Sequence, residues 1–330
     1  MRWFLKRPVH FLGLHLTDQS VYWVNLQSTE TLPIIQHAGS IAIDEKSNLI
    51  SAIKTALAPV TSAHLKTIIS ITTHKILTKS LSVSVTLSDL DILNSLKTKA
   101  RYYFPEIAEP LCFEFRPLTH HEATPSERTI QVFTVKQQEI TDRTQLSKSL
   151  GLNCIAIEPE HCALLRLAQR ALGKEKTASA FIYLIIMKAT SRLLCFHEQT
   201  LLLNQTVPTS QLTEQFASFL QQCRLLLATT PLSTIYLSPP QSTLWNNMLS
   251  PQDHSITPQL ADPLSTFRFK NNRPILASPS TYTDEVREDS AVYTESIVKN
   301  RDFCAHPHTL YQEPFQIALG LALRGHDARP

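Results

Sequence analysis

Glycine is scarce in this chain: there are six in 330 residues, where ordinary usage of about 7% would give about 23. Loops that wrap a phosphate depend on glycine, because it takes positive φ without strain and lets the backbone approach a ligand closely. The shortage works against glycine-rich chemistry, and no P-loop, GxGxxG, GxSxG or HExxH pattern occurs. The six cysteines, at 112, 154, 162, 195, 223 and 304, form no CxxC and no disulfide-like spacing, which suits a reducing cytosol. The longest strongly apolar run, residues 178–187, is about half of the ~20 residues a membrane helix needs. MRWFLKRP starts with positive charge, but polar residues break up the next stretch before any signal-peptide core forms. A formal charge of +3 with no long basic run leaves no electrostatic footprint for nucleic acid. A cytoplasmic globular protein is expected, long enough for two lobes.

What is present reads as α/β. FLGLHLTDQSVYWVNLQ (residues 11–27) is strand, polar turn, strand, and residues 34–43 supply a third strand. A helix over 49–58 and a buried strand, TIISIT (67–72), come next. SDLDILNSLKTKARYYFP reads as one helix: Ser88 caps it, Asp89 and Asp91 suit its N-terminal dipole, and Pro105 closes it. Leu90, Leu93, Leu96, Ala100 and Tyr103 share one face of that helix. Strands at 111–116 and 129–135 lead to a helix over 137–150 capped by Gly151. A strand at 152–157 then runs into a helix with Pro159 in its first turn and Gly173 just past its end. At Phe181 the opening pattern returns: FIYLIIM, KATS, RLLCF, HEQT and LLLNQTV make three apolar strands with two tight turns, so two related lobes are expected. A helix over 209–227 and a strand over 234–237 continue the chain. Ten of the twenty prolines lie between Pro231 and Pro314, and 271–307 is polar with little periodicity, which reads as loop. FQIALGLALRG ends the pattern as an apolar helix.

Three of these stretches together resemble the actin-like fold, and specifically the PilM family of type IV pilus assembly proteins, which is related to FtsA. FLGLHLTDQSVYWVNL is similar to that family's GIDIGSSSVKLVEL-type hairpin, and KARYYFPEIAEPLCFEF to its "kyiP" helix end and following strand. QIALGLALRG matches its "vAxGLALRG" helix, and SLGLNCIAIEPEHCALLRL agrees in order with an "aGL…vDve…Al.ra" pattern. The resemblance covers nearly the whole chain. It implies an α/β fold of two RNase H-like lobes with a subdomain inserted in the first. The implied boundaries are a first-lobe core over 1–80, the inserted subdomain over 81–152, a return to the first lobe over 153–176, the second lobe over 177–310, and a C-terminal helix over 311–330 on the first lobe.

Such a family normally binds Mg-ATP between the lobes, and this sequence departs from it in one direction. The position matching the metal-organising aspartate is His15, and the one matching the loop glycine is Thr17. Magnesium prefers oxygen ligands, so imidazole is a poor replacement. Asp18, with Ser20, offers a displaced ligand, although an aspartate solvated in its turn is the simpler reading. The second phosphate loop reads IIMKAT, without aspartate or glycine; Lys188 there is an attractor for phosphate or a solvated turn lysine. The adenosine loop reads IYLSPPQS, where Ser238 is followed by Pro239 and Pro240, and proline has no backbone N–H and cannot take positive φ. Only one long helix separates Val207 from the strand at Thr234, so the lid subdomain is expected to be reduced or absent.

Other candidate chemistry is weaker. Cys304, His306 and His308 alternate as CxHxH without a fourth ligand, so no metal site is expected. His120 and His121 beside Glu122 read as an exposed loop. Glu158 and Glu160 flank Pro159 at a helix start, where carboxylates suit the dipole. Cys154 and Cys162 read as core. Arg101, Tyr102, Phe104 and Pro105 form an aromatic, basic cluster of the kind favoured at interfaces, with Tyr103 turned to the core. Trp3, Phe4 and Leu5 among Arg2, Lys6 and Arg7 suit either a membrane surface or a flexible terminus.

The resemblance implies a scaffold: a cytoplasmic pilus component whose groove between the first lobe and its insertion captures the cytoplasmic N-terminal tail of a PilN-like inner-membrane protein, with no catalysis and no cofactor. Two alternatives stand beside it. One is a working actin-like ATPase using Asp18, Ser20 and Lys188, with ATP and magnesium. The other is the cytoplasmic adaptor of a type II secretion platform, which usually continues into a membrane helix that this sequence lacks.

Overall fold

In the computed structural model, strands β1 (His10–Leu16), β2 (Ser20–Gln27) and β3 (Ile34–Ala42) form an antiparallel meander. Helix α1 (Leu49–Leu57) then returns the chain to β4 (Leu65–Ile71), which lies parallel to β1. The structure describes residues 9–29, 32–43, 49–60, 65–118, 126–173, 179–197, 199–227, 230–238, 257–260, 262–269 and 312–327.

After β4 the chain leaves this sheet to build a small one of its own. β5 (Leu77–Ser84), helix α2 (Asp89–Thr98), the single turn α3 (Ala100–Tyr103), β6 (Leu111–Pro117) and β7 (Glu127–Lys136) give a three-stranded antiparallel sheet in the order β5-β7-β6. β5 is absent from the sequence reading because LTKSLSVS is polar and mostly exposed, and it lies at the sheet's edge. Helix α4 (Gln137–Leu150) ends on Gly151, whose φ of 71° is the left-handed cap the sequence predicts. The chain then rejoins the first sheet as β8 (Asn153–Pro159), parallel to β4. Pro159 closes β8 and stands before helix α5 (Glu160–Leu172) instead of inside its first turn.

The second sheet repeats the first. β9 (Ala180–Ile186), β10 (Thr190–His197) and β11 (Thr200–Pro208) form another antiparallel meander. After helix α6 (Leu212–Leu227), β12 (Leu232–Ser238) pairs parallel to β9 and β13 (Thr257–Leu260) parallel to β12. The order β11-β10-β9-β12-β13 has the connectivity and strand directions of β3-β2-β1-β4-β8. The two related lobes read from the sequence are thus real. Between β11 and β12 the described residues form only a short 3-10 turn, Thr209–Gln211, and α6. The described part of the lid's place is one helix. A two-residue strand, β14 (Arg268–Phe269), pairs with β3 at the far edge of the first sheet.

Helices α5 and α7 (Glu313–Asp327) pack between the lobes. The period of two in each central strand sets this up. In β9, Phe181, Tyr183 and Ile185 join the shared core, while Ala180, Ile182, Leu184 and Ile186 pack on α6. In β1, Phe11 joins the shared core, while Leu12 and Leu14 pack towards α1. Backbones come very close here. A Cβ at Gly13 would stand 1.8 Å from the carbonyl oxygen of Ala318, and one at Gly320 would stand 2.1 Å from that of Ala163. These glycines let α7 settle onto β1 and α5.

The helix over the small sheet departs from the sequence reading in two ways. Ser88 does cap α2, accepting from Asp91 N–H at 3.2 Å while the Asp91 carboxylate accepts from Ser88 N–H. Its buried residues, however, are Ile92 and Leu96, four apart, and Leu90 is exposed. The helix also breaks at Lys99 and stops at Tyr103, so Phe104 takes an extended φ of −134° before Pro105. That conformation turns Phe104 into the core of the small sheet, 6.0 Å from the ring of Phe113.

Candidate functional site

Ligands of open α/β sheets settle beyond the carboxyl ends of the parallel strands. In the first lobe those ends are Leu16, Ile71 and Pro159; in the second they are Ile186, Ser238 and Leu260. The degenerate positions His15, Thr17, Asp18, Ser20, Lys188 and Ser238 all gather at these ends.

The first turn closes on itself. Thr17 donates its hydroxyl to Ser20 O at 3.0 Å and accepts from the N–H groups of Ser20 and Gln19 at 2.9 and 3.3 Å. Thr17 N–H also donates to Ser20 O. The Thr17, Gln19 and Ser20 amides are thereby turned to partners inside the turn, and Asp18 is an exposed residue. The second turn is tied down in a similar way. Thr209 donates its hydroxyl to Met187 O at 2.8 Å and its N–H to Ala189 O, leaving Lys188 exposed.

Behind the first turn, His15 is buried, and its Nδ1 lies 2.8 Å from Ser70 Oγ. Burial lowers its pKa to about 4, against the pull of Glu160, so the ring is neutral at ordinary pH. His161 is lowered to about 4 for the same reason, and its Nδ1 faces Thr73 Oγ1 at 3.3 Å.

Across the cleft, Arg192 of β10 reaches from the second lobe into the first. It donates to Glu160 at the start of α5 (2.7 Å), to Glu313 at the start of α7, and to Asn204 of β11 (2.9 Å). These three charged side chains are about nine-tenths buried. Burial opposes charge on all of them. For Glu160 the Arg192 guanidinium and the Thr73 N–H outweigh it, and the carboxyl is held below its ordinary pKa. For Glu313 burial wins and the pKa rises, as expected where one cation serves two carboxylates. Ser238 is equally engaged: Gln316 of α7 donates to its hydroxyl at 2.9 Å and accepts from the hydroxyl of Tyr183. Pro239 and Pro240 lie outside the described residues, as do the CxHxH group, His120, His121 and Glu122, and the segment with Trp3. No group of three His, Cys, Asp or Glu among the described residues is placed to hold a metal ion.

Arg192, Glu313, Gln316 and Tyr183 are not singled out by the sequence reading. A signal was available for the first: SRLLCF places one arginine in an otherwise apolar strand, and a buried charge must be paired.

A second feature lies on the other side of β8. A groove of about 590 Å³ runs between α5 and β8 of the first lobe and β6 and β7 of the small sheet. Its apolar lining includes Ile76, Phe115, Phe133 and Leu165. On its floor Glu158 accepts from Arg166 at 2.6 Å and from Arg324 at 3.1 Å. Arg116 stacks on Phe133 and crosses to the second lobe, where it donates to Gln199 O at 2.9 Å and to Thr200 Oγ1 at 2.5 Å. Cys162 also lines the groove, and burial pushes its thiol up to about 12, which leaves it protonated and unreactive. Of the interface cluster, Tyr102 is 79% exposed and Pro105 is exposed. Arg101 lines a neighbouring cavity of about 380 Å³. Phe104, buried in the small core, is removed from the exposed cluster.

No protein-family model matches the chain, and no curated protein does. Among solved structures, a PilM-PilN type IV pilus biogenesis complex matches over 97% of this chain and 98% of that one, at 15% identity and a TM-score of 0.57. The cytoplasmic domain of EpsL, an inner membrane component of the type II secretion system of Vibrio cholerae, matches over 69% and 81%, at 12% identity and a TM-score of 0.44. A Bacteroides thetaiotaomicron protein of unknown function with an actin-like ATPase fold matches over 83% and 96%, at 13% identity and a TM-score of 0.40. By its doubled strand order and by its likeness to the PilM-PilN structure along nearly its whole length, the chain has the actin-like fold.

Proposed function

We propose that this protein is an adaptor of a type IV pilus or related platform, a scaffold without catalysis. In this reading the groove beside β6 takes the cytoplasmic N-terminal tail of a PilN-like inner-membrane protein, and that partner holds the chain at the inner face of the membrane. The observation that carries the reading is the contrast between the two concavities. The inter-lobe cleft is knotted by its own side chains, while the groove presents apolar side chains and arginines with room for a peptide.

The residues at the strand ends suit Mg-ATP poorly. A magnesium ion needs free oxygen ligands, and the buried carboxylates near these ends are taken: Glu160 and Glu313 by Arg192, Glu158 by Arg166 and Arg324. His15 and Ser238 are bonded to Ser70 and Gln316. A rebuilt ATP site would rest on Asp18, Ser20 and Lys188, around turns in which the Thr17, Gln19, Ser20 and Met187 amides are already engaged. The groove suits a short extended segment held by a few aromatic anchors.

The test is fluorescence anisotropy with the labelled PilN-like tail, beside equilibrium dialysis with Mg-ATP. The tail is expected to bind, Phe133→Ser to weaken it by about tenfold or more without loss of circular dichroism, and ATP to pass freely. Retained ATP with no tail binding would replace this reading by the ATPase.

A further inference from the structure

The groove follows a bare strand edge. β6 is the last strand of its sheet, so one side pairs with β7 and the other has no strand beside it among the described residues. A strand lining a cavity with one face contributes alternate residues. Here every residue from Cys112 to Arg116 lines the groove, as a strand met edge-on does.

The register identifies the free backbone groups. Just beyond the ends of β6, Gln137 N–H donates to Pro110 O at 2.8 Å and Leu118 N–H to Thr129 O at 2.9 Å. Bonded and non-bonded pairs alternate along an antiparallel ladder. Cys112, Glu114 and Arg116 therefore bond to β7, while Leu111, Phe113 and Phe115 turn their N–H and C=O groups outward. Phe113 also lines the neighbouring cavity that holds Lys97 and Arg101, so the two cavities form one track along β6.

Charge along the track is unbalanced. Glu109 is paired with Lys136, and Glu158 with Arg166 and Arg324, while Glu114 is an exposed carboxylate in the groove with no ion pair among the described residues. Lys97 and Arg101 have no ion pair among the described residues, and Arg116 bonds the neutral acceptors Gln131, Gln199 and Thr200. The excess is positive, and it concentrates at the Lys97–Arg101 end.

We infer that β6 is a strand-addition edge: an extended partner segment bearing carboxylates joins the small sheet as its fourth strand, with an acidic side chain near Lys97 and Arg101. This rests on the peptide-binding reading above and specifies how the peptide is held. Main-chain bonds to Leu111, Phe113 and Phe115 supply affinity, and the pocket beside Phe133 supplies selection among side chains. The contact of Arg116 with Gln199 marks where the track meets the second lobe.

The test uses the full chain and a synthetic PilN-like tail. Residue-resolved amide exchange should slow about tenfold or more at Leu111, Phe113 and Phe115 when the tail is added, with smaller change at Cys112, Glu114 and Arg116. Tail peptides N-methylated at alternate positions should lose roughly threefold to tenfold in affinity for each bond removed, in one alternation set and not in the other. Lys97→Glu with Arg101→Glu should weaken binding, and more so at low salt. If the tail binds with those amides unchanged and N-methylation without effect, strand addition is wrong while peptide capture stands. If the tail does not bind, both fall. If the same amides become protected on raising protein concentration without tail, a second copy of the chain occupies the edge and the assignment to a partner is overturned.

Discussion

Arg192→Met is the most informative perturbation of the cleft. It removes one side chain and leaves two buried carboxylates, Glu160 and Glu313, without their cation. Breaking a buried ion pair from one side typically destabilises by about 3–5 kcal/mol, because the remaining charge stays desolvated. For a chain of this length that corresponds to a fall in melting temperature of roughly 4–7 °C. Thermal denaturation followed by circular dichroism reads it, and small-angle scattering reports whether the lobes part. The same reasoning makes a second demand. Replacing a whole buried ionic group by neutral residues is often near neutral, so Arg192→Met with Glu160→Gln and Glu313→Gln should recover most of the loss. A single variant melting within about 1 °C of the parent, or a triple variant worse than the single, would refute the view that this cluster ties the lobes.

Further outcomes rest on the same geometry. His15 and His161 are lowered to about 4 in the folded chain, so the unfolded chain takes up protons near pH 6.5 that the folded one refuses. Their contribution is complete above that pH and is lost as pH falls towards 4, by up to about 3 kcal/mol each. Urea denaturation as a function of pH should show this fall, and His15→Asn should flatten it. Gly320→Ala places a methyl where Ala163 O lies 2.1 Å away; separating α5 from α7 should cost about 1–3 kcal/mol or more, and an unchanged melting temperature would contradict that packing. Ser88→Ala removes the capping box of α2 and should cost about 0.5–2 kcal/mol in chemical denaturation, leaving the second lobe's hydrogen exchange untouched.

What could be read from the sequence was what is local. The two meanders declared themselves as short apolar runs broken by polar turns, and Gly151 marked a helix end because one backbone conformation required it. His15, Thr17, Asp18, Ser20, Lys188 and Ser238 could be placed at strand ends because the strand pattern repeats. What could not be read depends on distance or on a broken period. Arg192 finds Glu160 32 residues away and Glu313 121 away, and nothing local links them. Phe104 reads as exposed only while the helix is assumed to continue past Tyr103. β5 hides because an edge strand of serine, threonine and lysine has no buried face to declare. The bare edge of β6 is a property of sheet order, which no single strand reveals.

The central claim is that recognition resides in the groove and that the cleft between the lobes is closed to nucleotide. Melting temperature with each ligand tests it most directly. A ligand at 100 times its dissociation constant stabilises the folded state by about 2.7 kcal/mol. The PilN-like tail is predicted to raise the melting temperature with that logarithmic dependence on concentration, while millimolar Mg-ATP leaves it unchanged. A rise with Mg-ATP that chelation abolishes, with the tail silent, would contradict the account.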